Sequence, residues 1–237
     1  MSDAVMGSLH AARRRLAIDS IGIWVLAIII GTIFGFTARE GGLSLVETAA
    51  FSAILFAGAS QFAAVGLLAV GAPWGSIVLL VWLLNARHFL YAASIAPHAA
   101  ALPKRVRAGI AFLLTDEAFA LTSTHIARLG HIDLPGAWYA GLSIFVPWNL
   151  ATLAGWIAGA ALPEPATIGF DVVFPASMAG LAVGLVRDRA ALVALLAGGS
   201  VAVASSLLVD PSAAVMIGGL LGPLAGLLFA KRHVEAA

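Results

Sequence analysis

Arg87-His88 and Asp116-Glu117 interrupt two long apolar runs well away from their ends. Charge in the middle of a bilayer costs a few kcal/mol per residue on insertion scales, so such groups face one another, a cavity or a bound solute. One arginine pairs comfortably with one carboxylate, which leaves the second acid and His88 to be neutral, hydrated or bound to something else. The chemistry on offer is recognition of a polar or zwitterionic solute, or the movement of a proton. The plain alternative is an Arg87–Asp116 or Arg87–Glu117 ion pair that only locks two helices.

Other polar residues sit at comparable depth. On a continuous helix Asn85 and His88 share a face, and Arg87 stacks above Tyr91. Thr115 precedes the two acids, which point about 100° apart, and Glu117, Leu121 and Thr124 follow one face. Gly58-Ala59-Ser60-Gln61 lies at the centre of another apolar run. This combination either breaks the helix where backbone groups line a cavity or lets a neighbouring helix pack closely. Trp148-Asn149 follows Pro147, which frees a backbone carbonyl for Asn149 or a ligand, or simply kinks a packing helix. The candidate set is Ser60, Gln61, Asn85, Arg87, His88, Thr115, Asp116, Glu117 and Asn149. Asp171 reads as an N-cap or first-turn acid.

The chemistry excluded is informative. Zero cysteines remove disulfides, thiolate catalysis and iron–sulfur ligation. His10, His98, His125, His131 and His233 lie near run ends or loops without HExxH spacing, so no metal or other cofactor is expected. No GxxxxGK[ST] loop occurs to bind ATP. A net charge of +1, with basic residues at loops and ends, gives nucleic acid no footprint.

The elements that must hold these residues are membrane helices. Of 237 residues 61% are hydrophobic and 11% charged, with mean hydropathy +1.01, too few polar side chains to cover a soluble globule. Continuous apolar runs such as Ile21–Ile30 argue against the alternating pattern of a β-barrel. The expected fold is an all-α polytopic bundle of about seven or eight helices, a single transmembrane domain over 1–237. A short basic segment, 1–16, precedes it and a polar tail, 231–237, follows. Eight windows approach the ~20 residues a crossing needs: Ile18–Phe36, Val46–Val70, Trp74–Ala96, Ala108–Ala127, Ala137–Leu162, Phe170–Val186, Ala190–Val209 and Ala213–Ala230. The first is read as a retained helix rather than a signal peptide, since no small-residue cleavage site is clear.

Parity limits the topology. The positive-inside rule places Arg13-Arg14-Arg15, the Lys104-Arg105-Arg107 loop and Lys231-Arg232 together in the cytoplasm. Three full crossings before Lys104 break that agreement, so one window enters and leaves on the same side, and Val46–Val70 is the expected one. A second mismatch arises between Lys104 and Arg187. Gly31/Gly35, Gly155/Gly159, Gly180/Gly184 and Gly218/Gly222/Gly226 have the small-xxx-small spacing of close helix contacts, read as packing within the chain in preference to a dimer seam. Trp24, Trp74, Trp138 and Tyr139 read as interfacial anchors, and Trp82 and Trp156 as packed side chains.

Phe56–Gln61 (FAGASQ), Leu84–Pro97 (LNARHFLYAASIAP) and Leu114–Leu121 (LTDEAFAL) closely resemble the AzlC family of branched-chain amino-acid permeases, the large subunit of a two-component exporter. A looser likeness covers most of the chain, including FDVVFPASMAG at Phe170–Gly180. The resemblance implies export of leucine, isoleucine, valine and sometimes methionine across a bacterial inner membrane, with a small AzlD-type membrane subunit as partner. Physically, the solute's ammonium would face Asp116 or Glu117. Arg87 or backbone donors at Gly58–Ser60 would take its carboxylate, and Phe62, Phe89 or Phe119 its aliphatic chain. Without an ATP loop the expected driving force is the proton gradient, with His88 of the side-chain class that titrates nearest neutrality. Three alternatives stand beside it: an exporter of another small zwitterion, an intramembrane enzyme using His88 and Asp116 as base and orienter, and a non-transporting assembly subunit.

Overall fold

The computed structural model describes residues 3–160, 183, 186 and 188–235, and every regular element among them is an α-helix. The chain divides into two compact units, Met1–Gln61 with Leu84–Leu162, and Phe62–Leu83 with Pro163–Ala237. The helices are α1 (Asp3–Glu40), α2 (Leu45–Leu55), α3 (Gly58–Ala69), α4 (Trp74–Asn85), α5 (Arg87–Ala99), α6 (Lys104–Phe112), α7 (Asp116–Leu129), α8 (Leu134–Ala160), α9 (Arg189–Ser205) and α10 (Pro211–Glu235). Among the described residues four stretches are long and apolar enough to cross a membrane, Gly7–Glu40, Trp74–Ala99, Leu134–Ala160 and Ala213–Ala230. The expected basic segment before the first run is therefore part of α1, which continues unbroken through Arg13-Arg14-Arg15.

In the first unit α1 and α8 form the frame. Arg13 meets Asp133, Ser20 meets Tyr139, Gly31 meets Trp148, Gly35 meets Thr152, and the Arg39 guanidinium lies 4.5 Å over the Trp156 ring. Rising numbers on one helix match rising numbers on the other, so the two run parallel. Glycine makes this possible. A Cβ on Gly35 would strike the Thr152 carbonyl and one on Gly155 the Thr32 carbonyl, so only hydrogen lets the backbones approach. Gly31/Gly35 and Gly155/Gly159 thus pack within the chain, as their spacing suggests.

Along that frame α2 runs the other way. Ser44 and Glu47 close a capping box at its start, near Leu43, whose carbonyl accepts from Trp156 Nε1 at 2.8 Å. Ser52 donates to Thr152 at 3.4 Å, and Phe56 meets Phe145 edge to face with centroids 4.8 Å apart. Here the helix stops, because Phe56 adopts the left-handed conformation (φ 37°, ψ 51°). The Val46–Val70 run is therefore broken, at Phe56-Ala57 rather than within Gly58–Gln61, which form the first turn of α3. Close packing also holds there, since a Cβ on Gly58 would lie 3.0 Å from the Trp148 ring.

The Ala108–Ala127 window differs from expectation. It is not one helix but two: α6 ends at Phe112, and the Thr115 hydroxyl accepts from the Ala118 N–H at 3.3 Å to start α7. Along α8 the Trp138 ring covers Gly109, Gly141 faces Leu113, and Phe145 meets Phe112 at 6.0 Å. Then α7 returns to where α6 began, with His125 on Asp133 at 3.1 Å and Arg128 on Asp19 at 2.8 Å. At ~14 Å and ~21 Å by helical rise, the two arms make an in-and-back excursion from the end that carries Arg13, Lys104 and Arg128.

The Trp74–Ala96 window is two helices meeting at Ala86, whose backbone stays right-handed (φ −55°, ψ −27°). Asn85 closes α4 and His88 lies in the first turn of α5, and with Ala86 right-handed the helical course carries on through the junction. In the second unit α9 and α10 run antiparallel through Ala190–Gly226, Ala194–Gly222 and Gly198–Gly218, so the Gly218/Gly222/Gly226 series also packs within the chain. The window Phe170–Val186, with Asp171 and Pro175, and the pair Gly180/Gly184 lie outside the described residues, as does the Arg187 charge used in the parity argument, apart from Val183 and Val186.

Candidate functional site

The starts of α5 and α7 come together. Arg87 is the first residue of α5 and Asp116 the first of α7, and Arg87 Nη1 lies 2.8 Å from Asp116 Oδ2. Tyr91, one turn into α5, donates its hydroxyl to Asp116 Oδ1 at 2.5 Å. Both oxygens of one carboxylate are thus engaged, by a cation and by a phenol. About a third of each charged side chain stays exposed, so the pair is neither sealed nor lost to solvent.

The geometry explains why these residues meet. Each helix start presents unpaired backbone N–H groups that favour negative charge nearby, which suits Asp116 and Glu117 in the first turn of α7. Arg87 at a helix start is the disfavoured sign, and it is offset by the facing carboxylate. The Tyr91 ring stacks on Phe119 with centroids 4.6 Å apart and planes 12° from parallel, while His88 meets the edge of Tyr91 at 5.7 Å. Four side chains therefore fix the position of one carboxylate.

A surplus remains, as the charge count suggests. Glu117 makes no ion pair or hydrogen bond among the described residues, and Arg87 Nε is buried without a partner. One guanidinium against two carboxylates leaves one negative charge at the break. That is a place for a cation, a proton or an ammonium group.

Ser60 and Asn85 lie on the adjoining chain. Ser60 Oγ, fully buried, donates within reach of Asn85 Oδ1 at 3.0 Å and of its own helix at Ala57 O at 2.9 Å. Gln61 is also fully buried. Its amide donates to Phe51 O at 3.3 Å, and its Oε1 has no partner. Asn85 precedes Arg87 by two residues, so this pair and the Arg87–Asp116 group share one stretch of chain. Thr115 serves as the cap that starts α7.

Asn149 stays with its own helix. Its amide donates to Phe145 O at 2.8 Å, whereas the carbonyl that Pro147 frees is that of Ser143, one turn before the proline. The expected use of the freed carbonyl by Asn149 is not made. The enzyme alternative fares no better in geometry, because Asp116 is joined to Arg87 and Tyr91 rather than to His88.

Sequence reasoning missed two groups. Tyr91 was visible only as a neighbour of Arg87 one turn on, and its bond to Asp116 needed the break before α7. At the basic end Asp133 accepts two bonds from Arg13, 2.8 and 2.6 Å, and one contact from the buried His125 at 3.1 Å. The Arg13 guanidinium first, then His125, holds the Asp133 carboxyl down at about 2 against burial. A lone acid just before Leu134-Pro135 was the available signal.

The sequence profile of the AzlC family (AzlC protein) matches residues 22–162, which include all of the first unit from midway along α1 onward and every residue of the candidate set. The chain is 33% identical over 147 residues to Inner membrane protein YgaZ of Escherichia coli, covering 61% of this chain and 60% of that protein. It is 33% identical over 220 residues, 92% and 95% of the two chains, to an uncharacterized membrane protein of Archaeoglobus fulgidus. An uncharacterized membrane protein of Helicobacter pylori is 28% identical over 59% of this chain and 61% of its own. No solved structure matches.

Proposed function

The chain belongs to the AzlC family of membrane proteins, and from that premise we propose that it exports the branched-chain amino acids leucine, isoleucine and valine, with methionine as a further candidate, from the cytoplasm. The observation that carries the reading is the unbalanced charge at the α5 and α7 starts: Arg87 on Asp116, with Glu117 left over. A zwitterion satisfies both halves of such a site. Its ammonium replaces the missing cation at Glu117 and Asp116, and its carboxylate takes the free Arg87 Nε–H or backbone donors at a helix start.

An aliphatic side chain rests on apolar wall such as Phe119, where one methylene distinguishes solutes by only about 1–3 kcal/mol. Broad tolerance among branched substrates follows. Protons drive the cycle in this reading, since Asp116 can exchange its arginine for a proton or a substrate ammonium. Arg13, Lys104 and Arg128 at one end support assigning that end, and the N-terminus with it, to the cytoplasmic side of an inner membrane. A small AzlD-type subunit completes the exporter.

The test is efflux of preloaded labelled leucine, isoleucine, valine and methionine from cells expressing the chain with and without that partner, beside Asp116→Asn. Partner-dependent efflux that Asp116→Asn abolishes, with insertion unchanged, is the expected result. Undiminished efflux by Asp116→Asn rejects the acidic site, and no efflux of any of the four by an inserted, partnered protein rejects the substrate class.

A further inference from the structure

Below the Arg87–Asp116 pair, towards the basic end, α5 and α7 face each other with two matched stripes. On α5 the stripe is Arg87, Tyr91, Ser94 and His98, and on α7 it is Asp116, Phe119, Ser123 and Ala127. Spacings of three and four residues keep each set on one helical face. The stripes meet first in the ion pair, next in the Tyr91–Phe119 stack, and last around a cavity of about 260 Å³. Ser94, Ile95, His98, Ser123, Ile126, Ala127 and Gly130 line that cavity.

The cavity has polar groups that a dry seam would not keep. The Ser123 hydroxyl is buried and has no partner, and Ser94 and His98 add further hydrogen-bonding groups. A buried hydroxyl left unmatched is unfavourable, and a roomy polar site relieves this by holding water. His98 in the last turn of α5 and Gly130 just past the end of α7 line it, so the cavity lies at the end of the seam near Arg128.

We propose that this seam is the aqueous entry path from the basic end to Asp116, and that the stacked Tyr91 and Phe119 rings are its gate. The proposal rests on reading the Arg87–Asp116 group as the solute site. Tyr91 suits the part because one side chain does two things: its ring closes the path and its hydroxyl holds Asp116. A solute or proton that displaces the hydroxyl frees the ring to swing off Phe119, so occupancy of the acid and opening of the path are linked.

A chain without cysteine makes the test clean. Ser94→Cys, Ser123→Cys and the outward-facing Leu90→Cys, 71% exposed, are each treated with a charged, membrane-impermeant methanethiosulfonate on inverted vesicles. Only a thiolate reacts, and a thiol ionises in water rather than in lipid, so the two seam positions should label at least about tenfold faster than Leu90→Cys. Equal, slow labelling means a lipid-filled groove and overturns the path.

The gate is read at Glu117→Cys, which leaves Arg87, Asp116 and Tyr91 in place. Its labelling from the basic end should rise about tenfold when Phe119 is also replaced by alanine, or by leucine should the alanine variant fail to insert. Labelling that is unchanged by the loss of the Phe119 ring, or that occurs only from the opposite face, overturns the gate. Efflux is scored separately, so a protein that labels as expected yet exports none of the four amino acids keeps the path and loses the substrate.

Discussion

Asp116 is held by Arg87 and Tyr91 together, and the two partners should be separable by substitution. Tyr91→Phe removes the hydroxyl while keeping the stack on Phe119. Efflux should fall several-fold with the protein level unchanged, and wild-type efflux would deny the hydroxyl a role. At the basic end Asp133 supplies a pH prediction. Its folded-state value is depressed from 3.8 to about 2, so its contribution is complete above 3.8 and is lost as pH falls through about 2. Thermal unfolding in detergent should show wild type losing stability over that window and Asp133→Asn, already without the charge, losing less. The sequence showed Arg87, Asp116 and Glu117 because charge inside an apolar run is conspicuous. It hid Tyr91, His125 and Asp133, whose roles depend on partners 25, 8 and 120 residues away.

Among the elements, the breaks matter more than the spans. Phe56-Ala57 and Leu113–Thr115 each end a helix near Phe145 of α8, and both place polar backbone where an unbroken helix would have none. The first was legible from Gly58-Ala59-Ser60-Gln61, though displaced by two residues, because it is Phe56 that turns left-handed. The second was not, since LTDEAFAL reads equally well as helix interior or helix start, and only the Thr115 cap decides. Helix contacts give a direct comparison. Gly35→Leu must collide with the Thr152 carbonyl, whereas Gly22 has open space beside it. The first variant should fail to accumulate in membranes and Gly22→Leu should match wild type, as measured by detergent-solubilised yield and melting temperature. Equal yields would mean that α1 does not need its close approach to α8.

Hydropathy alone conveyed that the whole molecule is a helical membrane protein, and charge distribution raised the expectation that not every apolar window crosses. The in-and-back course of α6 and α7 was beyond both, because positive charge marks the ends of a segment and not how far it travels. The parallel pairing of α1 with α8 was equally hidden, having no local signature. It has a consequence in time. Arg13 and Asp133 are separated by 120 residues, so at ribosomal speeds of ~5–20 residues per second α1 waits roughly 6 to 24 s for its partner to be made. Through that interval Gly31 and Gly35 present a bare groove, and Arg13 an uncompensated charge, to whatever lies beside the nascent chain. Within the first unit α1 is thus complete well before the helix that fills its groove and the acid that pairs its arginine.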